Sequence, residues 1–182
     1  MTTCWRSRLR TKRLPPAPEP GATAHETIET ARDAVGRVPD SEADCCARVS
    51  EAINVDRRAA RDWLTLLRAL GLVKRSAGEY RRTDDDVDRA TLRRRVFTAV
   101  YGAREVFDAL PDPDGEARSA AAVVGAVRQP TWEHHRHVDP GAAWARHVER
   151  LLNWLTAVGA VEQGAEGYRR AAATSVEGGG VE

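Results

Sequence analysis

DRRAARDWLTLLRALGLVKRSAGEYRR, residues 56–82, is the stretch that decides the architecture. On a helical wheel at roughly 100° per residue, Ala59, Ala60, Trp63, Leu64, Leu66, Leu67 and Leu70 fill one broad arc. Arg57, Arg58, Arg61, Thr65 and Arg68 gather on the opposite side. One face suits a core and the other is a row of guanidinium groups. Asp56 can cap the helix start and Gly71 can supply the left-handed residue that stops it. Leu72-Val73 then begins a strand that turns at Ser76-Ala77-Gly78 and returns through Tyr80. A cationic helix followed directly by a cationic hairpin points to a nucleic-acid-reading surface.

The rest of the composition is that of an ordinary folded chain. Of 182 residues, 42% are hydrophobic and 30% charged, enough for one large or two small domains. No apolar run approaches the roughly 20 residues that span a bilayer. The basic, proline-rich first residues contain no apolar signal core, so a cytoplasmic protein with no membrane partner is expected. The net charge is only +1, yet residues 56–82 carry eight cations against three acids. The basic charge is concentrated where a DNA reader needs it. Only two of the 28 cations are lysine, a bias that reads as codon usage. Cys4, Cys45 and Cys46 make a poor disulfide framework and read as reduced thiols.

Residues 1–24, with five cations and then PPAPEP, offer little to bury and are expected to form a largely disordered basic tail. Ile28, Ala31, Ala34, Val35 and Val38 predict a first helix over 25–38, ended by Pro39-Asp40. Ser41, with Asp44 three residues on, opens a second helix through Ile53, using Cys45, Cys46, Val49, Ala52 and Ile53 for its core. Asn54-Val55 makes a short turn into the helix that starts after Asp56. In this order of elements, AINVDRRAARDWLTLLRALGLVKRSAGEYRRT resembles the winged helix-turn-helix domains of archaeal and bacterial transcription regulators. The resemblance covers about 41–83, in its short turn, its L-x-x-L-G-L-V phrase and its charged hairpin closing on an aromatic residue. It implies a DNA-binding fold, one that also serves as a protein-docking module.

An acidic run, residues 84–88, reads as a solvated linker whose Asp88 caps a long amphipathic helix over 89–110. The second half then repeats the first. PDSEA at Pro39–Ala43 matches PDGEA at Pro113–Ala117, an offset of 74, and GLVKRSAGEYRR at Gly71–Arg82 matches GAVEQGAEGYRR at Gly159–Arg170, an offset of 88. The difference predicts a 14-residue insertion near 128–143, before the second copy's third helix. The predicted fold is therefore mainly α with small β-hairpins. It comprises two tandem winged helix-turn-helix domains, residues 25–83 and 89–172, followed by a flexible tail at 173–182.

At the 88-residue offset the apolar face persists but most of the charge that phosphate contact needs does not. Arg57, Arg58, Arg61, Thr65 and Arg68 become Ala145, Arg146, Glu149, Asn153 and Thr156, and Lys74-Arg75 becomes Glu162-Gln163. The first copy is thus expected to read double-stranded DNA. Arg57, Arg58 and Arg61 would enter the major groove, and Arg68, Lys74, Arg75, Arg81 and Arg82 would touch phosphates. The second copy is expected to serve pairing or docking, as a homodimer contact or a site for a protein partner. Around the insertion, Trp132, His134, His135, His137 and Trp144 are expected to make a polar loop pinned by its tryptophans, which can also form a pocket or anchor a partner. The histidines lack metal-site spacing, so neither a metal nor any other cofactor is expected. No motif with a catalytic mechanism attached is present, so no enzyme activity is expected. The competing reading is a tandem winged-helix interaction scaffold without DNA contact, which the near-neutral total charge favours.

Overall fold

The computed structural model of the chain describes residues 10–18, 23–85, 87–129 and 138–172. The first half contains α1 (Thr23–Ala34), α2 (Glu42–Ala52), α3 (Arg57–Ala69) and the antiparallel hairpin β1 (Val73–Ser76) with β2 (Glu79–Arg82). Short polar caps set the helix starts. Ser41 Oγ accepts the Asp44 amide at 3.1 Å, and Asp56 Oδ1 accepts the Ala59 amide at 2.8 Å. Gly71, at φ 76°, ends α3 and turns the chain into β1. Ala77 and Gly78 both take positive φ, 51° and 90°, the two-residue turn that suits twisted strands. Asp40 adds a third edge to the wing, exchanging two backbone hydrogen bonds with Tyr80 at 3.0 and 2.8 Å.

The second half runs α4 (Arg89–Ala99), α5 (Ala103–Asp108), α6 (Ala120–Ala126), α7 (Pro140–Ala157), β3 (Val161–Gly164) and β4 (Gly167–Arg170). Its hairpin repeats the first one's register, with Val161 opposite Arg170 as Val73 is opposite Arg82. Arg118 takes the place of Asp40, bonding Tyr168 at 2.9 and 2.8 Å, and Ser119 caps α6 as Ser41 caps α2. The two halves are both winged helix modules. A Cβ at Gly167 (φ 135°) would collide with the Arg118 carbonyl, whereas one at Gly164 meets nothing within 4 Å. Gly167→Ala should therefore cost at least about 1 kcal/mol in urea unfolding and Gly164→Ala much less. Equal costs would contradict this account of the second wing.

Several expectations need correction. The equivalence of Ser41 and Ser119 sets the start of the second copy's α6 at an offset of 78, not 74, so the insertion is 10 residues instead of 14. Pro113–Ala117 lies in the loop before Arg118, and its likeness to Pro39–Ala43 has no structural counterpart. The expected 89–110 helix is broken. Val100 is extended, pairing beside Thr11, and Gly102 takes φ 82° at the start of α5. Val38 lies past the end of α1 and is 77% exposed, and Ala52 is also exposed. The acidic segment is not a free linker, because Val87 is buried with its carbonyl 2.8 Å from His25 Nε2, and Arg32 donates to the Asp85 carbonyl.

The largest correction concerns the start of the chain. Residues 10–18, expected to belong to a disordered tail, are a packed strap. The Thr11 amide donates to Ala99 O at 2.7 Å and its carbonyl accepts from Tyr101 at 2.9 Å. Leu14 is buried, Arg150 donates to its carbonyl at 3.2 Å, and Trp154 Nε1 donates to Pro15 O at 2.8 Å. Trp154 in turn meets Trp63 edge to face, with centroids 5.4 Å apart. Strap, α7 and α3 thereby share one continuous core that includes buried side chains from both modules.

Candidate nucleic-acid interface

The polar face of α3 is open. Arg57, Arg58, Arg61 and Arg68 are exposed, and Thr65 is half-buried with its hydroxyl donating back to Arg61 O at 3.0 Å. Arg57 and Arg58 occupy the first turn, which holds no acidic residue, so their charge sits against the positive end of the helix dipole. The wing behaves alike. The register sets Lys74 directly opposite Arg81, both exposed, and like charges opposite one another destabilise a hairpin. Among the described residues, Arg57, Arg58, Arg68, Lys74 and Arg81 form no ion pair. No acidic partner among the described residues offsets the repulsion between these cations.

Three other cations are engaged. Arg75 lies over the Tyr80 ring, 5.4 Å from its centroid. Arg61 Nε lies 3.0 Å from Glu42 Oε1 in an ion pair, and the other oxygen of that carboxylate accepts from the Tyr80 hydroxyl at 3.2 Å. Burial, and then the Glu42 charge, push the Tyr80 phenol above its ordinary pKa, so it remains a donor. Arg82 points inward. It is 22% exposed and pairs with Asp33 at 2.6 Å, bracing the wing against α1. Arg170 does the same in the second copy, pairing with Asp112 at 2.8 Å. This explains why both hairpins end in Tyr-Arg-Arg: the last arginine is structural, and only the middle one faces outward.

The second wing is neutralised where the first is not. Glu162 stands opposite Arg169, in the positions of Lys74 and Arg81, and the two pair at 3.2 Å. Two modules with the same hairpin register and the same bridge to the strand edge thus differ in charge alone at this pair. The family described as the halobacterial double winged helix domain matches residues 9–175. The chain belongs to that family. No curated protein and no solved structure matched it. A winged helix fold suggests DNA binding in general.

Within this double winged helix chain the two modules meet through Trp63 of α3 and Trp154 of α7. On α3, Trp63 lies about 140° from the mean direction of Arg57, Arg61 and Arg68, so Trp154 and the second module sit behind the cationic face. No described helix is long and apolar enough to cross a membrane. Trp132, His134, His135 and His137 lie outside the described residues. Trp144 is not a loop anchor open to a partner. It is buried within α7, its ring 5.5 Å from that of His147, whose Nε2 lies 3.1 Å from Tyr101 O. Cys45 and Cys46 are free and buried, and burial pushes both thiols up. Sequence spacing gave no sign of Glu42 or Asp33, which meet their arginines only in the folded chain.

Proposed function

We propose that the chain is a transcription regulator of the archaeal and bacterial winged helix type that binds duplex DNA and performs no chemistry on it. Arg57, Arg58 and Arg61 enter the major groove from the start of α3, while Arg68, Lys74 and Arg81 contact phosphates. Arg82, committed to Asp33, stays out of the contact. The observation that carries this reading is the uncompensated Lys74–Arg81 pair beside the open α3 face, set against the Glu162–Arg169 ion pair of the other wing. The second module acts as a rigid buttress behind α3, and its discharged face is left for a protein partner or a second copy.

Fluorescence anisotropy with a mixed duplex pool tests this. Four to six released counterions imply a log–log salt slope of about −4 to −5, so affinity should fall by at least about 10²-fold between roughly 50 and 200 mM salt. Binding that ignores salt would overturn the reading. A chain that binds no duplex but holds a stoichiometric protein partner would favour the interaction scaffold instead.

A further inference from the structure

We propose that Glu42 is a positioning residue that makes Arg61 the base-reading side chain of α3, with guanine as the base read. The inference rests on the duplex-binding reading above. Glu42 lies in the first turn of α2, next to the Ser41 cap, and its carboxylate is held from two sides. The Tyr80 hydroxyl fixes one oxygen, and Tyr80 is itself buried at the root of the wing and bonded through its backbone to Asp40. The other oxygen lies 3.0 Å from Arg61 Nε in an ion pair. That ion pair meets the guanidinium on its Nε side, and the two terminal nitrogens can act as a fork. The Arg61 side chain remains 63% exposed, so the fork projects outward from the polar face of α3. A fork of this kind matches the O6 and N7 acceptors of guanine in the major groove.

Charge separates Arg61 from its neighbours as well. Arg57, Arg58 and Arg68 have no acidic partner among the described residues and can swing to phosphates. Glu42 offsets the charge of Arg61 and repels phosphate oxygens, so Arg61 adds little to counterion release and much to orientation. The second copy supports treating the two residues as one device. Arg61 is replaced there by Glu149, and the residue after the cap serine, Glu42 in α2, is Ala120 in α6. Both members are missing from the module that has lost most of these cations.

The test begins with duplexes selected by the wild-type chain from a random pool, and measures affinity for a selected and for an unrelated duplex across salt. Glu42→Ala should lower the ratio of the two affinities by about tenfold, leave binding to the unrelated duplex equal or tighter, and steepen the salt slope by about one unit as Arg61 moves to phosphate. Arg61→Ala should lower the ratio similarly, and the double variant should discriminate no worse than Arg61→Ala alone. Arg61→Lys, which retains the charge but not the fork, should also lose discrimination. Thermal melts establish that each variant is folded. An unchanged ratio in Glu42→Ala or Arg61→Lys, or additive losses in the double variant, overturns the inference while duplex binding stands. A wild-type chain that binds no duplex overturns the functional reading, and this inference with it.

Discussion

Arg57→Ala/Arg58→Ala/Arg61→Ala should bind duplex DNA at least about 100-fold more weakly than the wild type at moderate salt, while Arg146→Ala should change affinity by less than about twofold. A single well-formed bidentate base contact is worth about 1–3 kcal/mol, and each 1.4 kcal/mol is tenfold, so losing one such contact together with two phosphate clamps reaches that size. The usual objection to a triple variant is that it unfolds. Here the three side chains are exposed, and alanine is the best helix former. Arg57 and Arg58 also stand in an acid-free first turn, where the helix dipole disfavours cations. Removing them should leave the melting temperature equal or slightly higher, so lost binding cannot be ascribed to lost fold. Arg146, exposed on α7, occupies the position of Arg58 in the second copy and serves as the matched control. Anisotropy and circular dichroism on the same samples check both halves of the expectation. Equal binding by the triple variant and wild type would remove α3 from the interface.

Why some features are legible in the sequence and others are not follows from the range of the interactions. Helix α3 is set by its own residues: a wide apolar arc, an aspartate cap and a glycine stop lie within residues 56–71. The wing needs only a two-residue turn and a tyrosine. The strap is the opposite case. Its order comes from Thr11 and Leu14 meeting partners some 90 to 140 positions away, and two residues in a proline-rich stretch have no periodicity to read. The same contact breaks the expected long helix, because Val100 leaves helical geometry to lie beside Thr11. The offset of the second copy went astray for a different reason. The likeness of PDSEA and PDGEA is one of letters, whereas equivalence is fixed by the serine cap and the bridge to tyrosine. In the interface the open cations could be found from composition and spacing. The acids that claim Arg61 and Arg82 could not, since Glu42 and Asp33 lie on other helices.

The shared core leads to the second large effect: Trp154→Ala should destabilise the whole chain by about 3–5 kcal/mol, in a single unfolding transition. Trp154 is 1% exposed, meets Trp63 at 5.4 Å and 65°, and donates to Pro15 O at 2.8 Å. Truncation therefore removes a large apolar surface, opens a cavity between modules and leaves a strap carbonyl without its donor. Set against the roughly 5–15 kcal/mol that holds a typical domain, this is about a fifth of the total or more. The aromatic contact itself should appear as a coupling of about 1 kcal/mol in the cycle with Trp63→Ala, the double variant losing less than the two singles together. Trp154→Phe keeps a ring against Trp63 but gives up the Pro15 bond, and should fall between wild type and Trp154→Ala. Urea unfolding followed by circular dichroism and by tryptophan fluorescence measures the wild type and all four variants. If the modules were independent, the two probes would report separate transitions, and Trp154→Ala would shift only the second module's. Coincident transitions that move together mean that the surface behind α3 is held by the other module, and that any change loosening α7 or the strap weakens the element proposed to enter DNA.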